Sequence, residues 1–457
     1  MKRLTVVLML VSLLALGGQA FAELCTVDAV PAATLLLPYF EVDLNDPAGV
    51  NTVFSINNAS APPALAHVSV WTDWSQPVLD FDVFLTGYDV QTVNLYDVFA
   101  NGNLPVTADE QSDPSDTISP HADHPEWDGS FPQTAATASV DCNDIFPLFI
   151  NPILTGTRLA DIQAKLTGAA IDGACFGADH GDGIARGYIT VDSADTCSLI
   201  FPSDQDYFTD GVNPAVANNN NVLWGDYFII NSNNDSANGD NLVHIEATDT
   251  PDWATGYTFY GRYSVPALTI DGREPLGTAW GPRYLNGGAF TGGTDLTVWR
   301  DSTVLDIDDA GYACGGPGTI GVGPEWHPLN ETEAVAFDEE EAWEDLCGTI
   351  FGDGGPPVSP PDVPVDEDPT CFPLETQKVA VGDGFLSPSF NFGWMFLNLN
   401  LNDGPFVNFD LDPGTDGLLA QSYVSATHSA DGRFSVGLAA VELASACDDV
   451  NAMVNRD

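Results

Sequence analysis

Positive charge is scarce in this chain. Its 457 residues hold 12 lysines and arginines against 66 aspartates and glutamates, a formal net charge of −54. A field of that sign repels nucleic acid and anionic lipid and favours cations and basic partners, so no nucleic-acid partner is expected. Beyond position 2 the only lysines are Lys165 and Lys378. A salt-adapted surface and specific cation binding both account for this balance. CxxC is absent, which leaves zinc ribbons and thioredoxin chemistry unsupported. GxSxG, HExxH, SxxK and the P-loop are absent too. Gly316, Gly318 and Gly321 spell GxGxxG, but Pro317 sits inside and "GVGPEW" follows in place of a helix, so no dinucleotide site is expected. His244 and Glu246 form HxE with no P-C-x-x-C after them, which leaves a zinc deaminase unsupported.

Apolar runs long enough to cross a bilayer are also missing, so no transmembrane anchor is expected. Lys2 and Arg3 precede an apolar Thr5–Leu16, and Ala20-Phe21-Ala22 offers small residues for cleavage before Glu23. Residues 1–22 therefore read as a secretory signal peptide. Leu24 stands before Cys25 where lipidation wants a small residue, so the expected product is secreted, periplasmic or at the cell surface. Asn58, Asn234 and Asn330 would be glycosylation sequons in a eukaryotic secretory setting.

Eight cysteines are present: Cys25, Cys142, Cys175, Cys197, Cys314, Cys347, Cys371 and Cys447. An even number after an export signal reads as disulfides. Near neighbours are the expected pairs, Cys175–Cys197 and Cys314–Cys347, with Cys371 and Cys447 available to staple the last segment.

Strand periodicity is abundant. In "AHVSVWTDWSQPVLDFDVFLTGYDVQTVNL", Val68, Val70 and Thr72 fall on one side of an extended segment and His67, Ser69 and Trp71 on the other. After Ser75-Gln76-Pro77, Leu79, Phe81, Val83 and Leu85 alternate with Asp80, Asp82 and Phe84. Period two predicts a hairpin, and the acids read as the wet face of an antiparallel sheet. Further strands are expected at 53–57, 187–191, 227–231, 242–247, 257–265, 296–299, 394–401, 422–428 and 434–442. Helices are expected at "TRLADIQAKLTG", stopped by Gly168, and at "NETEAVAFDEEEAWEDLCG", capped by Asn330. The fold class is mainly β, an antiparallel β-sandwich or jelly roll in two units with two short helices.

"VFSINNASAPPALAHVSVWTD" and "YFIINSNNDSANGDNLVHIEATD" share an order of features and suggest two related strand–loop–strand units. Residues 23–145 read as the first sandwich unit and 146–351 as a second β-rich unit. The proline- and aspartate-rich 352–370 is a linker or long loop. Residues 371–457 form a last β segment, short enough to complete an earlier sheet.

Aspartate outnumbers glutamate 50 to 16, which points to turns and oxygen-rich cation loops. Candidate calcium ligands are Asn233, Asp235 and Asp240 in one loop, Asp306, Asp308 and Asp309 in another, and Asp410, Asp412 and Asp416 in a third. None has the bidentate glutamate of an EF-hand loop. His121, Asp123, His124 and Glu126 offer a weaker transition-metal set. Asp179, His180 and Asp182 look like either a tight turn or a histidine held by a carboxylate. Ten tryptophans, among them Trp71, Trp74, Trp253, Trp280 and Trp326, suit sugar stacking as well as core packing. The expected function is binding, or a surface or structural role, with cations, a carbohydrate or a protein as ligand. A secreted carbohydrate-active enzyme or carbohydrate-binding protein is the alternative, and no catalytic residue stands out.

Overall fold

The computed structural model describes residues 29–105, 154, 156–196, 198, 200–204, 206–208, 215–250, 258–263, 271–301, 311–314, 328–346, 370–382, 385–401, 420–430 and 433–445. Residues 1–22, expected as a signal peptide, the segment holding His121 to Glu126, and Asp306, Asp308, Asp309, Asp410, Asp412 and Asp416 lie outside them, as do Trp253 and Trp326.

The chain opens with β1 (Thr34–Asp43), β2 (Val50–Asn58), β3 (Ala64–Thr72), β4 (Pro77–Leu85) and β5 (Val90–Asn94), followed by the short helix α1 (Leu95–Phe99). Helix α2 (Thr157–Thr167) precedes β6 (Ala174–Cys175) and β7 (Ile184–Ala194). Next come β8 (Leu223–Trp224), β9 (Asp226–Asn231), β10 (Ser236–Asn241), β11 (Val243–Ile245), β12 (Gly277–Gly281), β13 (Arg283–Leu285), β14 (Gly293–Arg300) and β15 (Tyr312–Ala313). The remainder are β16 (Glu333–Asp338), β17 (Trp343–Asp345), β18 (Thr376–Ala380), β19 (Phe392–Asn398), β20 (Ser422–Ala430), β21 (Phe434–Ala439) and β22 (Val441–Ser445).

These strands form four main antiparallel sheets, as expected for the sandwich class. The first is ordered β10-β9-β2-β5, the second β11-β1-β7-β3-β4, the third β18-β14-β20-β21 and the fourth β17-β16-β19-β12-β22. The second sheet draws β1, β3 and β4 from before residue 145 and β7 and β11 from after it. Strands β18 to β22 complete sheets begun by β12, β14 and β16. The two echoed segments follow one route: β2 and β9 pair in the first sheet, while β3 and β11 both lie in the second.

The second sheet is a middle layer. On one face Leu35, Leu37, Val68, Val70, Leu79, Phe81, Ile189 and Val191 share a core with the first sheet. On the other, Leu36, Leu65, Trp71 and Tyr188 belong to a core that continues into Val298, Trp280 and Leu397 of the third and fourth sheets. This corrects the wet-face reading of the opening hairpin. Asp80, Asp82, His67 and Ser69 are all buried, because the face expected to meet water meets another sandwich. Alternation reports that two faces differ; it does not say that the polar one is solvated.

Local chemistry explains the helices. In α2, Ile162 and Leu166 face inward, and Gly168 ends the helix in the left-handed conformation at φ 73°, where a side chain is costly. Asn94 caps α1 by accepting from the Tyr96 amide. The helix expected at 330–348 is instead the hairpin β16–β17. Ala334 and Ala336 point into the core, while Val335 and Phe337 pair with Phe396 and Trp394. The acidic run is its turn: the Asp338 carboxylate accepts from the amides of Glu340 and Ala342. Residues 258–263, expected as strand, form turns instead. The strand expected at 434–442 breaks at Ala440 into β21 and β22, in different sheets.

The near-neighbour cysteine pairing is also corrected. Cys175 bonds Cys314, with Cα atoms 5.1 Å apart across 139 residues of sequence. Strands β6 and β15 pair as a ribbon, with Tyr312 opposite Cys175 and Ala313 opposite Ala174, and this brings the two cysteines within bonding reach. Cys371 is disulfide-bonded as well.

Candidate functional site

A polar row crosses the buried face of the middle sheet. Register places Thr34 beside Asp192, Asp192 beside His67, and His67 beside Asp82, one residue from each of β1, β7, β3 and β4. Two residues along, Thr190, Ser69 and Asp80 form a second row. A polar stripe on a doubly covered sheet must find partners within the protein.

Most of it does. Asp192 accepts from the hydroxyls of Tyr207 at 2.6 Å, Tyr260 at 2.8 Å and Thr34 at 2.5 Å. Arg273 lies over the row, with Nε 3.3 Å from Asp192 and NH1 3.1 Å from Asp271, and its NH2 donates to the Asn218 carbonyl. Burial pulls its pKa down, and Asp192 and then Asp271 more than reverse this, so Arg273 is held charged. Asp82 accepts from the Ser198 amide at 3.0 Å and sits 2.8 Å from His67 Nδ1. Burial opposes protonation of His67, but Asp82, Asp80 and Asp192 raise its pKa above the usual histidine value. Burial drives Asp80 up to about 6, opposed by His67 and aided by Asp82. Among the described residues His67 Nε2, Ser69 Oγ and Asp80 Oδ2 find no hydrogen-bond partner.

A second ionic knot lies at the edge of the same seam. Arg262 grips Glu375 with two nitrogens, at 3.1 and 2.9 Å, and its Nε is 3.5 Å from Asp301. Tyr188 accepts from Arg262, and Ser75 bonds both Tyr188 and Glu375. Beside it, Trp71 stacks between Tyr188 and Tyr263 at 5.9 and 5.8 Å. The cavity here, lined also by Phe259, Tyr260, Trp299 and Asp301, measures about 10 Å³, room for one water molecule. A third knot surrounds Arg300, which donates to the carbonyls of Phe372 and Leu399 at 2.8 Å and lies 3.6 Å from Glu331. Burial lowers Arg300 to about 10 and raises Glu331.

Chemically, these groups resemble the parts of a hydrolase, an imidazole–carboxylate pair with acids and hydroxyls nearby. They are nevertheless buried, and the cavity beside Arg262, with room for one water molecule, is too small for a sugar ring. Their visible work is to tie the second, third and fourth sheets together. The three arginines were missed in the sequence. The available signal was their scarcity: with so few cations, each is a strong candidate partner for an acid that the fold buries.

The other anticipated residues fall elsewhere. Asn233 and Asp235 lie at the tip of the β9–β10 hairpin, where Asn233 donates to Asp46 at 2.9 Å and Asp235 is left-handed at φ 47°. Asp240 stands opposite Tyr227 near the far end of β10. Five strand residues from Asp235 place it roughly 17 Å away, so one ion does not reach both. Among the described residues no three His, Cys, Asp or Glu side chains gather for a metal. Asp182 pairs with Arg186 at 2.6 Å and Asp179 caps the Gly181 amide, which hold the turn locally, while His180 lies 3.5 Å from the distant, buried carboxylate of Asp73. Trp71, Trp74 and Trp280 are core residues, not platforms.

Exposed aromatics occur on the outer face of the fourth sheet. Trp343, Phe337 and Trp394 stand in one row across β17, β16 and β19. Phe337 and Trp394 stack at 5.1 Å and 20°, and both tryptophans are exposed. No helix among the described residues is long and apolar enough to cross a membrane. Comparison of the chain with protein-family models, curated proteins and solved structures finds no match.

Proposed function

We propose that this chain is an exported, disulfide-bonded protein that acts by binding or as a surface or structural component, and not by catalysis. One observation carries the reading. The carboxylates, imidazole and hydroxyls best placed for chemistry are packed between sheets and bonded to arginine and tyrosine. The leader-like first 22 residues and the cystine pairing support the setting. The test is expression of the whole chain in a secreting bacterium. A mature product that begins at Glu23 and titrates no free thiol before reduction supports the reading; cytosolic retention with free thiols overturns it. Turnover of any polysaccharide or peptide substrate that is abolished by Asp82→Asn, with the fold intact, overturns the non-catalytic part.

A second reading, carbohydrate binding, is favoured by the row Trp343–Phe337–Trp394. Stacking between Phe337 and Trp394 occupies one pair of ring faces, so Trp343 carries most of the free face. Retardation of the protein in polysaccharide-loaded native gels, lost in Trp343→Ala, is the expected result. Equal migration with and without polysaccharide removes this reading.

The cation part of the proposal attaches to the hairpin tip with Asp46, Asn233 and Asp235, and to Asp306, Asp308 and Asp309 outside the described residues. Calcium there would be structural.

A further inference from the structure

Among the described residues the third sheet ends on an inward face that is only partly covered, by the Phe290 ring standing edge-on to Phe434 at 5.8 Å. Strand β20 points Ala426, His428 and Ala430 into the sandwich, and all three are buried. Their cross-strand partners on β21 are Leu438, Val436 and Phe434. These lie on the same side of the sheet, yet they are 53%, 42% and 49% exposed. The facing edge is open as well: Val441, first residue of β22 on the fourth sheet, is 65% exposed. Only Ala440 separates β21 from β22, so the two sheets part at this corner with apolar side chains between them.

The opposite side of β21 is closed. Ser435 donates to the Ala237 carbonyl at 2.8 Å, and a Cβ on Gly437 would stand 2.8 Å from the Asn238 side chain. The β10 hairpin therefore fixes β21 in place from outside. β21 pairs only with β20 among the described residues, and within them its other backbone edge is unladdered. Natural sheets blunt such edges with charge, proline or a bulge; β21, "FSVGLA", has none of these.

We propose that the β21 edge is a docking site for an extended segment of a basic partner protein, added as a further strand of the third sheet. Backbone groups of β21 hold the incoming strand, and its alternate apolar side chains cover Phe434, Val436, Leu438 and Val441. The charge of the partner follows from the field of the chain, −54 overall, which repels a second copy and any acidic segment. At the strand itself Arg433 and Glu442 offset one another. The proposal rests on the binding reading above and names the surface and the partner chemistry.

Peptides of nine residues test it by fluorescence anisotropy on the whole chain. One alternates Val and Lys, one alternates Val and Asp, and one has the Val/Lys composition with its valines clustered at one end. Saturable binding of the Val/Lys peptide is expected, with the Val/Asp and clustered peptides at least about tenfold weaker, a difference of about 1.4 kcal/mol. Val436→Lys should abolish binding, and Val436→Thr, which keeps the strand shape, should weaken it about tenfold with the thermal midpoint preserved. Equal binding of the clustered peptide, or binding unchanged in both variants, reduces the effect to bulk charge and overturns the proposal. So does a dimer in sedimentation that Val436→Lys dissociates, since a second copy would then be the occupant. Loss of the edge result leaves the export and thiol results of the previous section standing, so the two failures are distinguishable.

Discussion

His67 and Asp82 face each other across β3 and β4 with Nδ1 2.8 Å from Oδ1, and both are buried. Asp80, on the same face, has a pKa raised from 3.8 to about 6, chiefly by burial. For an acid the sign runs against the usual case. Between about 4 and 6 the folded state binds more protons than the unfolded one, so stability falls as pH rises through that window and stays lower above it. Asp80→Asn should therefore stabilise the protein at pH 8, by on the order of 2–3 kcal/mol, and give little at pH 4. Urea melts at both values check this. An equal effect at the two pH values would refute it.

His67 gives a window of its own. Its pKa is raised, burial being outweighed by Asp82, then Asp80 and Asp192. Its contribution is fully present below the unfolded value near 6.5 and disappears as pH rises through the folded value. In His67→Gln the extra loss of stability relative to the parent should be greater at pH 5.5 than at pH 9. A variant whose deficit grows with pH would reverse the assignment.

Arg273 is matched to Asp192 and Asp271 in an almost water-free seam. Removing it alone strands two buried carboxylates. Arg273→Met should cost roughly 3–5 kcal/mol. The double variant Arg273→Met/Asp192→Asn should cost clearly less than the sum of the two single changes. Strict additivity in a double-mutant cycle would show that the pair does not couple.

Period two located nearly every strand that it was asked to locate, since each strand packs at least one apolar face. It did not reveal how many layers there are. Asp80 and Asp82 alternate with Leu79, Phe81 and Val83 in the same way whether water or Arg273 and Tyr207 lie beyond them. The helix expected near Trp343 shows the converse limit. Val335, Ala342, Trp343 and Leu346 suit a helical face, and only pairing with the distant β19 decides for the hairpin. The exposed tryptophan row and the partners of the arginines depend on such long-range register. Cystine pairing did too, because β15 returns to β6 from 139 residues away.

That return makes the Cys175–Cys314 bond valuable for stability. In the chain-entropy account, closing a loop of this size restricts the unfolded state by about 5 kcal/mol. Cys175→Ala/Cys314→Ala should lose stability on that scale, less any residual structure in the unfolded chain. Peptide mapping without reduction should recover Cys175 joined to Cys314. A peptide joining Cys175 to Cys197 would contradict the fold at β6 and β15.

Calcium is tested by geometry as much as by chelation. Asn233 and Asp235 share the exposed tip of the β9–β10 hairpin, next to Asp46. Asp240 lies roughly 17 Å along the strand. If the tip holds an ion, added calcium raises the thermal midpoint, EDTA lowers it, and the shift follows RT ln(1 + [Ca²⁺]/Kd). Asp235→Ala should then remove the calcium response while Asp240→Ala keeps it. A response that survives Asp235→Ala moves the ion to another loop, with Asp306, Asp308 and Asp309 the next to substitute. A midpoint that neither calcium nor EDTA shifts removes calcium from the proposal.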